Sequence, residues 1–246
     1  MRILLSALLL GINLLAGAQS SETLLIYTHN GKGYVHDNIE ASVGAIQRLC
    51  RENGITAIHS DDPVVFTSGD LGRFSCIIFS NTNNEAFSEE AQKEAFVSYI
   101  RNGGGFVGIH SASGSERQWP WFWAMLGGKF VRHPRYQEFI IKVVDNTHPA
   151  TAFMDSTWNW EDECYYLDRL NPDIHVLLAA DLTTVEDDRR NEYPGTVFGD
   201  LFPLAWYHEF EGGRQFYTAL GHHADHYKNP AFLKHLWGGI SWAMRK

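Results

Sequence analysis

Gly103-Gly104-Gly105-Phe106-Val107-Gly108-Ile109-His110-Ser111-Ala112-Ser113 is the stretch that decides the fold. Three glycines end one segment, a short apolar run follows, and a histidine closes it. A buried strand that turns sharply into a helix is how nucleophile elbows are built, usually as G-x-S-x-G or its cysteine counterpart. Here Gly108-Ile109-His110-Ser111-Ala112 sets histidine at the nucleophile position and alanine at the second glycine. With no cysteine or serine there, the elbow argues against thiol-based amide transfer. His110 reads as a base, an acid or a metal ligand, with a structural turn histidine as the alternative.

Working outward, the first half alternates strand and helix patterns. Residues 23–29 (TLLIYTH) form an apolar run rich in strand formers. Ile39, Val43, Ile46 and Leu49 make a helical stripe across residues 37–53, stopped by Gly54. Residues 55–59 and 74–79 read as strands. Ser88 followed by Glu89 and Glu90 predicts a helix start capped by Ser88 and running to Arg101. Residues 106–110 are then a fourth strand. This alternation predicts a parallel sheet with helices on both faces, and functional groups at the carboxyl ends of its strands. His29 and His110 fall at such ends.

The second half is less regular. Residues 119–130 (WPWFWAMLGGKF) predict a short helix and turn, and residues 138–144 and 175–180 predict strands. Residues 203–220 predict a hairpin around Glu211-Gly212-Gly213, and residues 230–244 a closing helix with Pro at its start. An irregular insertion occupies about residues 130–200, inside one domain.

The amino terminus reads as an export signal. Arg2 gives a positive start, residues 3–15 are apolar, and Ala16-Gly17-Ala18 is a small-residue cleavage site. Cleavage after Ala18 leaves residues 19–246 as a single domain, periplasmic or secreted, with no second segment that could span a bilayer. The formal charge of −9 becomes −10 once Arg2 is removed, and no basic run appears. Nucleic acid and anionic membrane surfaces are therefore poor partners. Cys50, Cys76 and Cys164 are an odd count without a C-x-x-C pattern, so at most one bridge is open to them.

Twelve histidines give the chain its chemistry. His208 follows the run LAWY, and His222 and His223 follow Gly221 directly after the strand-like RQFYTAL. Glu163 sits in WNWEDECYY, where Trp158, Trp160 and Tyr165 can wall a site and raise a carboxyl pKa; Glu161 and Asp162 are rivals. Trp119, Trp121 and Trp123 either line a pocket or pack in the core. Arg214 either fixes a substrate hydroxyl or pairs with an acid. His59, His133, His148, His175 and His235 read as structural or exposed. Gly31-x-Gly33 is an incomplete dinucleotide loop, because position 36 is histidine, and nicotinamide binding is rejected. His36, His110, His208 and His222, with Glu163, would make a mixed N/O site suited to zinc or a similar divalent ion. No compact motif such as H-E-x-x-H joins them, so the spacing alone favours metal-free histidines.

Several of these pieces together resemble the trehalose-utilisation (ThuA-like) family over roughly residues 23–244. They are GYVHD with His36, GGGFVGIHSA with His110, Asp162-Glu163-Cys164-Tyr165, PLAWYHEFEGGRQFYTALGH, and the closing helix with Trp237 and Trp242. The resemblance implies a three-layer α/β fold, flavodoxin-like or class I glutamine-amidotransferase-like, with a mostly parallel sheet flanked by helices. It also implies a small-molecule sugar substrate of the keto-sugar or disaccharide-derivative class, processed by glycosidic cleavage or isomerisation. On that reading His110, Glu163, His208 and His222 carry acid–base chemistry. His36, Tyr165, Trp160, Arg214 and His223 then bind substrate. The missing elbow nucleophile keeps a second reading in view, a non-catalytic sugar-binding module.

Overall fold

The computed structural model describes residues 22–190 and 200–245; the predicted leader, residues 1–18, lies outside them. The elements run β1 (Thr23–Tyr27), α1 (Ile39–Glu52), β2 (Thr56–Ser60), β3 (Cys76–Ser80), α2 (Glu90–Arg101), β4 (Gly105–Ile109) and α3 (Pro120–Leu126). Then come β5 (Lys129–Arg132), β6 (Gln137–Val143), β7 (Thr157–Asp162), β8 (Tyr166–Asp168), β9 (His175–Asp181), β10 (Leu201–Phe210), β11 (Gly213–Thr218) and α4 (Pro230–Ala243).

Nine strands form one sheet in the order β2-β1-β3-β4-β11-β10-β9-β6-β7. The first five are mutually parallel, and the remaining four are joined antiparallel, so seven of the nine point the same way. β3 and β4 are buried at every position, as central parallel strands covered on both faces must be. On β11 the alternation divides the two helical layers. Phe216 packs under Gly239 of α4, while Tyr217 lies against Gly108 and Leu126 on the α3 side. Phe96 of α2 meets Phe122 of α3 on that same side. The result is the expected three-layer α/β architecture with a mostly parallel sheet.

The departures have local causes. The cap of α2 is Glu89, not Ser88: its side chain takes the amide three residues on, and Gln92 reaches back to the amides of Ser88 and Glu89. The predicted insertion adds β6, β7 and β9 to the main sheet, while β5 and β8 pair as a separate ribbon. No disulfide joins Cys50, Cys76 and Cys164, and all three are buried. Among the described residues no helix is long and apolar enough to cross a membrane.

Candidate active site

β4 delivers its chain end into a strained turn. His110 has φ 51°, a left-handed backbone that costs a non-glycine residue roughly 1–3 kcal/mol. Small neighbours make room for the turn: a Cβ on Gly108 would stand 3.0 Å from the Tyr217 ring and 3.4 Å from the Ala112 methyl. The elbow is therefore built as its sequence suggests, with an imidazole at its tip.

Three other chain ends converge on it. His36 comes from the loop after β1, Glu163 from the end of β7 and His222 from the segment after β11. The ligating atoms of His36, His110, Glu163 and His222 all lie within 4.8 Å of one another. His222 Nδ1 is 3.3 Å from His110 Nε2 and 3.2 Å from Glu163 Oε2, and His110 Nε2 is 3.7 Å from the same oxygen. Although β7 ends the strand order, Asp162 Oδ2 accepts a hydrogen bond from the Gly221 amide at 2.9 Å. The far edge of the sheet thus curls back over the carboxyl ends of β4 and β11.

Buried partners orient each ring. His110 Nδ1 lies 2.7 Å from the Ala219 carbonyl, which can only accept, so Nδ1 carries the proton and Nε2 turns its lone pair inward. The Tyr165 hydroxyl donates to that Nε2 at 2.9 Å. Ser111 Oγ holds His36 Nδ1 at 3.2 Å. Asn38 Nδ2 donates to the Gly221 and His222 carbonyls, each at 2.7 Å.

The electrostatics divide the histidines. Burial drives His110 well below the usual imidazole value, helped by nearby His36. Burial, aided by His222, takes His36 down to about 4. Burial also pulls on His222, but the hydrogen bond and charge of Glu163 more than offset it and leave its pKa raised. Burial pushes Asp162 up to about 6, against hydrogen bonds from Trp160, Gly221 and Glu163. Burial and the Glu163 charge keep Tyr165 a neutral phenol.

The other expected residues lie elsewhere. His208 faces Gln215 across the β10–β11 pair, level with Phe106, four residues short of His110 along β4. Its Nε2 bonds the Met125 carbonyl at 2.8 Å, so His208 belongs to the α3 packing and not to the cluster. Arg214, at the start of β11, bonds Glu209 and lies over the Trp242 ring, far from the carboxyl edge. Trp160 is buried and gives its indole proton to Asp162, so it acts through that carboxylate. Glu161 is exposed on the outer face of β7, and Asp162 is wholly buried. His223 rims the site one residue beyond His222. Trp119 and Trp121 stack on each other, with Trp121 bonded to Glu211.

Sequence reasoning missed His133, whose Nδ1 is 3.5 Å from Glu163 Oε1. It also missed Tyr34 and Tyr136, whose rings lie 4.8 Å from His36 and 5.7 Å from His222. His133 and Tyr136 sit in the segment between β5 and β6, and no spacing pattern in RHPRY marks it.

An amidotransferase-like α/β sandwich with histidine in place of the elbow thiol, ringed by two more histidines and a carboxylate, defines the class. The chain belongs to the trehalose-utilisation (ThuA) family, whose pattern matches residues 23–243. The fold is similar to a ThuA-like protein of Bacteroides uniformis, at 23% identity and TM-score 0.71, covering 92% of this chain and 93% of that one. A ThuA-like protein of Parabacteroides merdae is similar at 20% identity and TM-score 0.71, covering 91% and 90%. A β-galactosidase of Bacillus circulans sp. alkalophilus shares the fold over 90% of this chain and 31% of its own length, at 12% identity and TM-score 0.58. No curated protein matches the chain in sequence.

Proposed function

We propose that the protein is an exported enzyme that cleaves keto-sugar glycosides by proton transfer at the His36–His110–Glu163–His222 cluster. The observation that carries this reading is the convergence of three imidazoles, one carboxylate and the Tyr165 phenol at the strand ends. The description of the family as trehalose utilisation supports the substrate class.

In a 3-keto glycoside the ketone acidifies the hydrogen on C2. Glu163 takes that proton, and the C–H electron pair moves onto the keto oxygen as an enolate. The Tyr165 hydroxyl, which donates to His110 Nε2 in the resting site, turns its one proton to the negative oxygen instead. Collapse of the enolate breaks the C1–O bond, leaving a C1=C2 double bond, and the departing oxygen takes a proton from the site. Glu163, now carrying the captured proton, returns it to that oxygen. Water adding across C1=C2 completes a net hydrolysis. General acid–base groups of this kind contribute about 10²–10⁴-fold each.

The donor set also suits a divalent ion. Ligands about 2.0–2.2 Å from a tetrahedral zinc stand roughly 3.3–3.6 Å apart; His110 Nε2 and His222 Nδ1 are 3.3 Å apart, and the His36 donor lies within 4.8 Å of both. Neutral His36 and His110 are in their ligating form. His36, His110 and His222 would hold the ion and leave Glu163 as the base. A bound cation would supply Lewis-acid stabilisation of the keto oxygen.

Turnover of a 3-keto disaccharide by the mature protein, followed by NMR with and without chelator, tests the reading. Release of a free sugar is the expected result, and loss of that release with chelator assigns the cluster to a metal. Saturable sugar binding without product over hours, in folded protein, replaces the enzyme with a binding module.

A further inference from the structure

Beside the cluster, past His222, lies a groove of about 400 Å³ walled by Tyr136, Trp160, His223 and His226, with Glu161 and Asp225 among its polar groups. That volume falls in the range of about 300–1,000 Å³ typical of small-molecule sites. Tyr136 joins the two spaces: its ring is 5.7 Å from His222 on one side and 6.4 Å from both His223 and His226 on the other. His36, His110 and Tyr165 are buried and close the inner side of the cluster. His222 and Tyr136 thus connect the cluster to this groove, within reach of a group attached to the reacting sugar.

We infer that this groove is a second sugar subsite, which holds the leaving ring of a disaccharide-type substrate with Tyr136 as its stacking platform. The inference rests on the sugar chemistry proposed above. A pyranose ring presents an apolar C–H face and an edge of hydroxyls. An amphipathic aromatic suits the face, and carboxylates and imidazoles suit the edge. The polar groups of the groove are already steered by the fold. Lys228 holds Asp225 at 2.7 Å, the Tyr136 hydroxyl meets His226 Nε2 at 3.3 Å, and the Trp160 ring lies 4.5 Å from that of His226. Three separate segments build the walls, the chain entering β6, the end of β7 and the turn after β11, and the loops among them are where specificity is set on a rigid scaffold.

The test is equilibrium binding, by NMR titration, of two unreactive probes to the mature protein: trehalose and methyl α-glucoside. The intact protein should bind trehalose about tenfold more tightly, the equivalent of about 1.4 kcal/mol. Tyr136→Ala should bring the two affinities within about twofold, and Tyr136→Phe, which keeps the ring, should preserve the preference. Glu161→Gln, a surface change, should weaken trehalose alone if Tyr136→Ala fails to fold. Equal affinities in the intact protein, no binding of either sugar, or an unaltered preference in Tyr136→Ala or Glu161→Gln overturns the subsite. A preference that depends on Tyr136 without turnover of any keto-sugar keeps the subsite and removes the proposed reaction instead.

Discussion

At the residue scale the elbow histidine decides what chemistry is open. With φ 51°, His110 aims Nε2 at the cluster only because the backbone accepts strain there. Asparagine tolerates the left-handed region better than most residues. His110→Asn should therefore keep the turn, so that circular dichroism matches the parent while turnover falls at least about 100-fold. Retained turnover would remove His110 from the mechanism. Glu163→Gln makes the complementary cut. It keeps the shape but removes the base and the acceptor of His222, and kcat should drop about 10²–10⁴-fold with the fold intact. Asp162 acts one step further back. Its carboxylate accepts from the Trp160 indole and from the Gly221 and Glu163 amides, at 2.8–2.9 Å. An amide there has one accepting oxygen, so Asp162→Asn turns an NH₂ group toward a donor. A loss of about 1–3 kcal/mol in denaturant unfolding is expected.

At the scale of elements, the close approach of α4 to the rest of the domain depends on Gly238-Gly239. A Cβ on Gly238 would stand 2.5 Å from the backbone of Ala150, and one on Gly239 would stand 2.3 Å from the Phe216 ring. Helix propensity favours alanine over glycine by about 1 kcal/mol. Backbone cannot step aside as a side-chain tip can, and overpacking costs about 1–3 kcal/mol. Gly238→Ala should thus lower the melting temperature despite its better propensity; a rise would show that α4 shifts freely. This pair also shows where sequence patterns stop. The βα alternation of the first half, the His110 elbow and the β10–β11 hairpin were legible because each is a local period closed by glycine or proline. β5 and β8 were not, because a four-residue and a three-residue strand carry too few alternations to stand out. His208 misled for a related reason. A histidine after an aromatic run looks like one at a strand end, yet β10 runs antiparallel and carries it away from the carboxyl edge.

At the scale of the molecule, the cluster exists because a mixed sheet curls its antiparallel half over its parallel half, and no local pattern states that curl. His110 and His222 could be placed from strand ends, Glu163 from its aromatic surroundings with Glu161 and Asp162 as rivals, His36 only through the resemblance, and His133 not at all. The same compaction buries imidazoles throughout the domain, with a consequence for acid stability. His36, His148, His226 and His235 are each lowered from 6.5 to about 4, chiefly by burial. Between those values the unfolded chain binds protons that the folded one refuses, so stability must fall as the pH drops through the window. Asp162 opposes them. Raised from 3.8 to about 6, it holds a proton in the folded state that the unfolded state lacks, and it gains stability as the pH falls through that range. His222, whose pKa Glu163 raises, opposes them as well, but the four lowered imidazoles outnumber the two, so denaturant midpoints should decline from about pH 6.5 to about pH 4. His235 is not one of the cluster residues; it is bonded to the Ala150 carbonyl and the Thr218 hydroxyl. His235→Phe removes one titrating group without touching the site, so the decline should become shallower while the pH profile of sugar binding stays put. A decline of unchanged slope in that variant, or a midpoint that holds steady to pH 4, would mean that these imidazoles are hydrated in solution, and the compact packing described here would have to loosen around them.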